Sequence, residues 1–411
     1  MSMTIDMSKR SSRLPPTQDP FYHYDDLATL AKADPGTILR SREVEIHHHV
    51  ASAYQLLYRT TDVLGNPIAT VATVLRPFFP NTSALMSYQL VEDSASMDCA
   101  PSYTLDNNQP SLGGALIRPF LDKGYYVVAS DYQGPNSAFT CGVTSGNGVL
   151  DGIRAALASG SETGIESTAA IQFYGYSGGA LASGWAIQLL KSYAPELNVI
   201  GAALGGTPVN INATFNEVNS GFFSQLIPAA IMGLAQQYPE MDKYIFSIIK
   251  PQYQKMWQDV KTSCVMDLFQ FMNKDVAMYF NRSDYLDNDI VTKIIRENEM
   301  GHLGAPSVPL YMFHSVHDEV VPLSNAYDMA QSWCEGGTKI HFVSDSLSEH
   351  LSLAISGSPE AFNYIAERFD GKPLPQGCQF KSATSTIFED GVLGALSDMT
   401  FNGLKSILHG N

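Results

Sequence analysis

The sequence predicts an α/β fold: a mostly parallel central sheet clad in helices and interrupted once by an all-helical insertion. Three observations carry this expectation. Short runs rich in β-branched and aromatic residues alternate with stretches of helical spacing through the first half of the chain. The strand signal then lapses from about residue 208 to 303 and returns near 309. Finally, 411 residues with 45% hydrophobic and 16% charged side chains suffice for a large core, and α/β enzymes of this length often form one unit with an insertion.

Taken in order, a polar, Pro-containing arm (1–20) precedes a segment (53–79) that reads as a β-hairpin. AYQLLYRTT and ATVATVL form its arms and Gly65-Asn66-Pro67 its turn. ALMSYQL (84–90), GYYVVASDY (124–132) and IQFYGY (171–176) read as strands, with VLDGIRAALAS as a crossover helix between the last two. NVIGAALGG (198–206) continues the pattern. FFSQLIPAAIMGLAQQY and IFSIIKPQYQKMWQDV then give the helical, Met- and aromatic-rich character of the insertion. PLYMFHS (309–315) and KIHFVS (339–344) restore the sheet, and SPEAFNYIAERF (358–369) has the Ser-Pro-Glu start of a helix. The expected organisation is a first core part at 1–207, a helical cap or lid at 208–303 and a second core part with C-terminal tail at 304–411. The Met and aromatic positions of the insertion read most simply as its own core, a minority of them lining an acyl-chain tunnel.

The formal charge of −16 argues against nucleic acid and against electrostatic docking on anionic membranes, since both need a basic face. Neutral substrates and the uncharged surface of a lipid aggregate remain. No stretch of 18 apolar residues occurs, so no transmembrane helix is expected. The first twenty residues hold no apolar run long enough for a signal-peptide core, which by itself points to the cytoplasm. The five cysteines are widely spaced and form no CxxC, and spacing does not choose among their pairings. His47-His48-His49 does not read as a metal site, because consecutive strand residues alternate faces and cannot converge on one ion. No metal or other cofactor is expected.

The motif that carries chemistry is Gly175-Tyr176-Ser177-Gly178-Gly179, a G-x-S-x-G with an apolar strand before it and the helix-like GALASGWAIQLLKSY after it. A strand-to-helix turn this tight strains the serine backbone, so its neighbours must be almost free of side chain. The gain is an exposed Oγ at the sheet edge and a backbone N–H, that of Gly178, aimed at a developing oxyanion. This context predicts an α/β-hydrolase fold, in which the chain order is Ser, then Asp or Glu, then His. Asp318 and Glu319 compete for the acid; Asp318 comes first after its strand, and Glu319 is expected to face solvent. His350, on the loop after KIHFVS, is the expected base. His314 and His317 are expected to pack or to hydrogen-bond near the acid.

Several long segments resemble the fungal secretory lipase family: LLYRTTDVLGNPIATVATV, SYQLVEDSASMDCAPSY, GYSGGALASGWA, SYAPELNVIGAALGGTPV, HDEVVP and EHLSLAI. The likeness runs from DPFYHYDDLATL near residue 19 to Cys378. It implies the same triad, Ser177, Asp318 and His350. It further implies that Asp93 supplies the second oxyanion-hole group beside Gly178, a choice the residues alone leave open between Glu92 and Asp93. It implies two disulfides, Cys99 with Cys264 and Cys334 with Cys378, leaving Cys141 free. It also implies secretion, with a cytoplasmic location and reduced cysteines as the alternative. The activity implied is hydrolysis of triacylglycerols and other long-chain esters through an acyl-enzyme. An esterase or acyltransferase on a smaller, secondary-metabolite ester is the alternative, and a non-catalytic lipid-binding hydrolase fold a remoter one.

Overall fold

A computed structural model of the chain describes residues 14–46, 50–105 and 112–386. His47–His49, most of the N-terminal arm and the C-terminal tail from residue 387 lie outside the described residues. Among those described, ten strands form one sheet in the order β1-β2-β3-β5-β4-β6-β7-β8-β9-β10. β1 (Ile38–Val44), β2 (Ser52–Thr61) and β3 (Pro67–Arg76) run antiparallel, and β3 pairs antiparallel with β5 (Tyr125–Ser130). All later pairings are parallel, through β4 (Asn81–Gln89), β6 (Ala170–Tyr176), β7 (Val199–Gly205), β8 (Leu310–Ser315), β9 (Ile340–Asp345) and β10 (Gln379–Ala383).

The predicted hairpin is β2–β3, in register from Ser52 opposite Arg76 to Thr61 opposite Pro67. Its turn is held by the Asp62 carboxylate, whose Oδ1 accepts from the backbone N–H of Leu64 at 2.9 Å and of Asn66 at 2.8 Å. The parallel strands are covered on both faces, which is why they read as unbroken apolar runs; every residue of β5 and of β8 is buried.

Short helices α1 (Leu27–Lys32) and α2 (Pro101–Thr104) flank the early strands. The larger ones are α3 (Leu112–Asp122), α4 (Gly142–Ala158) with the single turn α5 (Gly160–Thr163), and α6 (Gly178–Tyr193). Between β7 and β8 come α7 (Ile211–Val218), α8 (Leu226–Gln237), α9 (Pro239–Ile248), α10 (Gln254–Val260) and α11 (Asp289–Glu297). α12 (Leu323–Glu335) lies between β8 and β9, and α13 (His350–Ser356) and α14 (Ser358–Phe369) lie between β9 and β10.

Two cores sandwich the sheet. On one face Leu150, Ile153, Trp185 and Trp333, from α4, α6 and α12, pack on Tyr58, Phe173 and Phe342. On the other, Phe120, Leu353 and Phe362, from α3, α13 and α14, pack on Tyr88, Tyr174 and Phe313. The helices between β7 and β8 build a third cluster around Trp257, whose ring lies 5.6 Å from Phe271 and 5.0 Å from Phe280. That cluster continues into Ala95, Phe139, Val320 and Val321, loop residues at the C-terminal edge of the sheet. The helical segment therefore sits on the edge where the strands end.

Two disulfides fasten the fold. Cys99–Cys264 (Cα–Cα 5.6 Å) ties the loop after β4 to the helical segment, and Cys334–Cys378 (6.2 Å) ties the end of α12 to the start of β10. Cys141 is free and buried, and burial pushes its thiol up to about 11, which keeps it a thiol at neutral pH.

Candidate active site

Ser177 stands between the last residue of β6 and the first of α6 with φ +52° and ψ −122°, a left-handed conformation that costs a non-glycine residue energy. The glycines of the motif are steric requirements. A Cβ on Gly178 would lie 1.9 Å from the Asp93 carboxyl oxygen, and one on Gly179 would lie 2.1 Å from the carbonyl oxygen of Gln89. The backbone N–H of Ser177 donates to the carbonyl of Gly205 at 2.9 Å, so pairing with β7 carries the sheet right up to the turn.

The parallel topology brings the ends of β4, β6, β8 and β9 to one edge, and with them Asp93, Ser177, Asp318 and His350. His350, the first residue of α13, places Nε2 2.9 Å from Ser177 Oγ and Nδ1 2.7 Å from Asp318 Oδ2. Asp318 Oδ1 accepts the backbone N–H groups of Val320 at 3.0 Å and Val321 at 2.7 Å. Burial opposes ionisation of Asp318, yet the His350 hydrogen bond and charge, together with these donors, hold the carboxyl below its ordinary value. It is thus a carboxylate at neutral pH.

The imidazole is also fixed through its own backbone. The Tyr176 hydroxyl donates to the carbonyl of His350, and the His350 N–H donates to Glu319 Oε2 at 2.8 Å. Glu319 therefore does not face solvent as expected; it is half-buried and caps the amide of the base. Of the two nearby histidines, His314 is buried against Asp318, whereas His317 is exposed. No linear signal marks the contacts of Tyr176 and Glu319, because both end on backbone atoms of His350 and the G-x-S-x-G pattern leaves position 176 free.

Asp93 adopts φ +46° in the loop after β4 and lies in contact with Gly178. Its Oδ1 is buried and without a hydrogen-bond partner among the described residues. Burial pushes its carboxyl up to about 7, with the charge of His350 pulling the other way. Glu92 is likewise raised well above its ordinary value by burial and by its neighbours Asp131 and Asp93. Asp131, after β5, is likewise pushed up to about 7 by burial, although the N–H and hydroxyl of Ser102 both donate to it. The loop beside Ser177 thus rests on carboxyls that are largely protonated in mildly acidic solution.

Beside Ser177 and Asp93 lies a narrow apolar pocket of about 40 Å³, walled by Phe139, Leu181, Ile211, Phe215, Leu226 and Ala230. Four of these walls, Ile211, Phe215, Leu226 and Ala230, come from α7 and α8. An activated hydroxyl facing an apolar slot at a strained turn is suited to acyl transfer from an ester whose acid part is apolar.

Residues 107–377 match the family model described as secretory lipase. Among curated proteins, the chain is 36% identical to lipase 10 of Candida albicans, across 96% of this chain and 90% of the relative. It is 34% identical to the secreted triacylglycerol lipase LIP1 of Malassezia furfur, across 95% and 83% respectively. A solved structure of Candida antarctica lipase A in its closed state superposes with a TM-score of 0.87 at 31% identity, covering 96% of both chains. An esterase from Xanthomonas oryzae, at 17% identity and a TM-score of 0.68, shares the fold.

Proposed function

We propose that this chain, which belongs to the secretory lipase family, hydrolyses triacylglycerols and other long-chain acyl esters through an acyl-enzyme on Ser177. The observation that carries the assignment of residues is the continuous hydrogen-bonded line Ser177 Oγ, His350, Asp318 at the C-terminal edge of the sheet. Ser177 attacks the ester carbonyl as His350 Nε2 takes its proton. Asp318, ionised and saturated with donors, fixes Nδ1–H and steadies the imidazolium. The backbone N–H groups of Gly178 and Asp93 hold the tetrahedral oxyanion, favoured there by the start of the 16-residue helix α6. His350 then returns the proton to the departing alcohol, and water releases the acid by the same steps in reverse.

The substrate reading draws on the apolar slot under α7 and α8, which accepts an acyl chain as the helical segment between β7 and β8 moves as a cap. Exposed Leu347 and Leu351 flank His350, and Val316 precedes Asp318, so the rim of the site offers apolar contacts to a lipid surface. A net charge of −16 favours uncharged over anionic surfaces. The two disulfides, the secretory lipase family and the secreted relative from Malassezia furfur support secretion.

Labelling with a fluorophosphonate and turnover of an emulsified triacylglycerol test the assignment together. Ser177→Ala is expected to fold, to lose labelling and to lose at least about 10⁴-fold in kcat. A folded Ser177→Ala that still turns over substrate would overturn it.

A further inference from the structure

His314, in β8, is a buried side chain that the mechanism above does not use. Its Nε2 lies 3.0 Å from the carbonyl oxygen of Val321 and 3.3 Å from Asp318 Oδ2, the same oxygen that faces His350 Nδ1. Both neighbours of Nε2 are pure acceptors, so this nitrogen carries the proton and donates to them. Val321 in turn gives its own N–H to Asp318 Oδ1 at 2.7 Å. One imidazole therefore spans the turn that presents the acid, touching the carboxylate directly and the backbone that holds its other oxygen.

We propose that His314 is a positioning residue for the triad: as a neutral Nε2–H donor it fixes the Asp318 carboxylate and tempers its pull on the His350 proton. The role depends on neutrality. A charged His314 would neutralise Asp318 and repel the imidazolium that His350 becomes, whereas a neutral donor orients the carboxylate and leaves its charge to the base. Burial secures this, since it lowers the proton affinity of His314, outweighing the Asp318 charge, which acts to raise it. A side chain present only to fill space needs no N–H at this spot, and the geometry supplies one between two acceptors. The other titratable groups facing the Asp318–His350 pair are Glu319, at the His350 amide, Tyr176, at its carbonyl, and Asp93, across Ser177.

The proposal rests on the Ser177–His350–Asp318 reading, so its test includes Ser177→Ala on the same preparation. His314→Phe removes the donor and keeps a ring; His314→Gln keeps an amide donor. His314→Phe is expected to lose about tenfold in kcat with KM nearly unchanged, and the acidic limb of its pH–rate profile should move to higher pH, because an Asp318 with one donor fewer holds the His350 proton more tightly. His314→Gln should recover most of the rate and the original profile. In the wild-type protein, ¹⁵N resonances of selectively labelled histidine should show His314 as the neutral Nε2–H tautomer throughout the active pH range, which needs no variant to fold. A folded His314→Phe with wild-type kcat and pH profile, or an Nδ1–H or titrating His314, would overturn the proposal while an inactive Ser177→Ala left the triad standing. Turnover by Ser177→Ala would remove the triad reading itself.

Discussion

Asp131, Glu92 and Asp93 are buried carboxyls in and beside the loop that flanks Ser177, and burial makes each reluctant to ionise. The consequence for stability has a definite sign. Asp131 ionises at about 7 in the fold but has an ordinary value of 3.8. Below that ordinary value both states hold the proton; as pH rises the unfolded chain releases it first, so stability falls until the folded value is passed. Asp131→Asn removes this loss and keeps the shape. It should melt at the wild-type temperature near pH 4 and roughly 3–5 °C above it near pH 8, by calorimetry. An unchanged pH slope would show that Asp131 ionises freely within the fold. Asp318 and Asp345 act in the opposite sense. Burial opposes their ionisation too, but His350 in one case and backbone donors in the other hold them below 3.8, so their contribution is lost only in stronger acid. At this scale the sequence is legible where chemistry imposes an order, as with Ser177, Asp318 and His350, each just beyond a strand. His314 packs beside the acid as its position suggests, whereas Glu319 departs from the solvent-facing role expected of it. Whether Glu319 turns toward His350 or toward solvent depends on the path of the turn from Val316 to Val321, and residue type does not determine that path.

The elements divide along the same line. Strands covered on both faces, such as β5 and β8, announce themselves as apolar runs. β1 and β10 do not, because ILRSREV and QFKSA are edge strands with exposed charged or polar positions, held by pairing to β2 and β9 rather than by their own burial. The helical segment after β7 was visible as a lapse of strand signal, but its several short turns and its seat on the C-terminal edge come from tertiary packing around Trp257. The two disulfides should also differ in what they do. Cys334–Cys378 joins α12 to an edge strand, so Cys334→Ala should lower the melting temperature by several degrees, in line with a few kcal/mol for closing such a loop, and leave kcat unchanged. Cys99–Cys264 anchors the Asp93 loop to the helical segment, an anchorage reinforced by the Val265 N–H donating to Ser94 Oγ at 3.0 Å. Cys264→Ala should therefore lose about tenfold in kcat as well as stability, measured on a short soluble ester that does not need the acyl slot. Equal kcat for the two variants would show that the Asp93 loop holds its place without the tether.

Taken whole, the molecule places one reactive edge of a twisted sheet beneath an apolar helical segment, in a chain whose formal net charge is −16. Such a charge disfavours anionic aggregates and leaves uncharged ester droplets as the surface to which the apolar rim can attach. The narrowness of the pocket, about 40 Å³, means that a long acyl chain requires the segment to yield, while a short one does not. The most direct measurement of the central claim is therefore hydrolysis of p-nitrophenyl esters from acetate to palmitate, with emulsified triolein alongside and Ser177→Ala as control. The account predicts Ser177-dependent turnover that persists through palmitate and extends to triolein. Turnover confined to the short esters, with triolein untouched by a protein whose Ser177 still reacts with fluorophosphonate, would contradict the lipase reading and favour an esterase or acyltransferase on a smaller substrate.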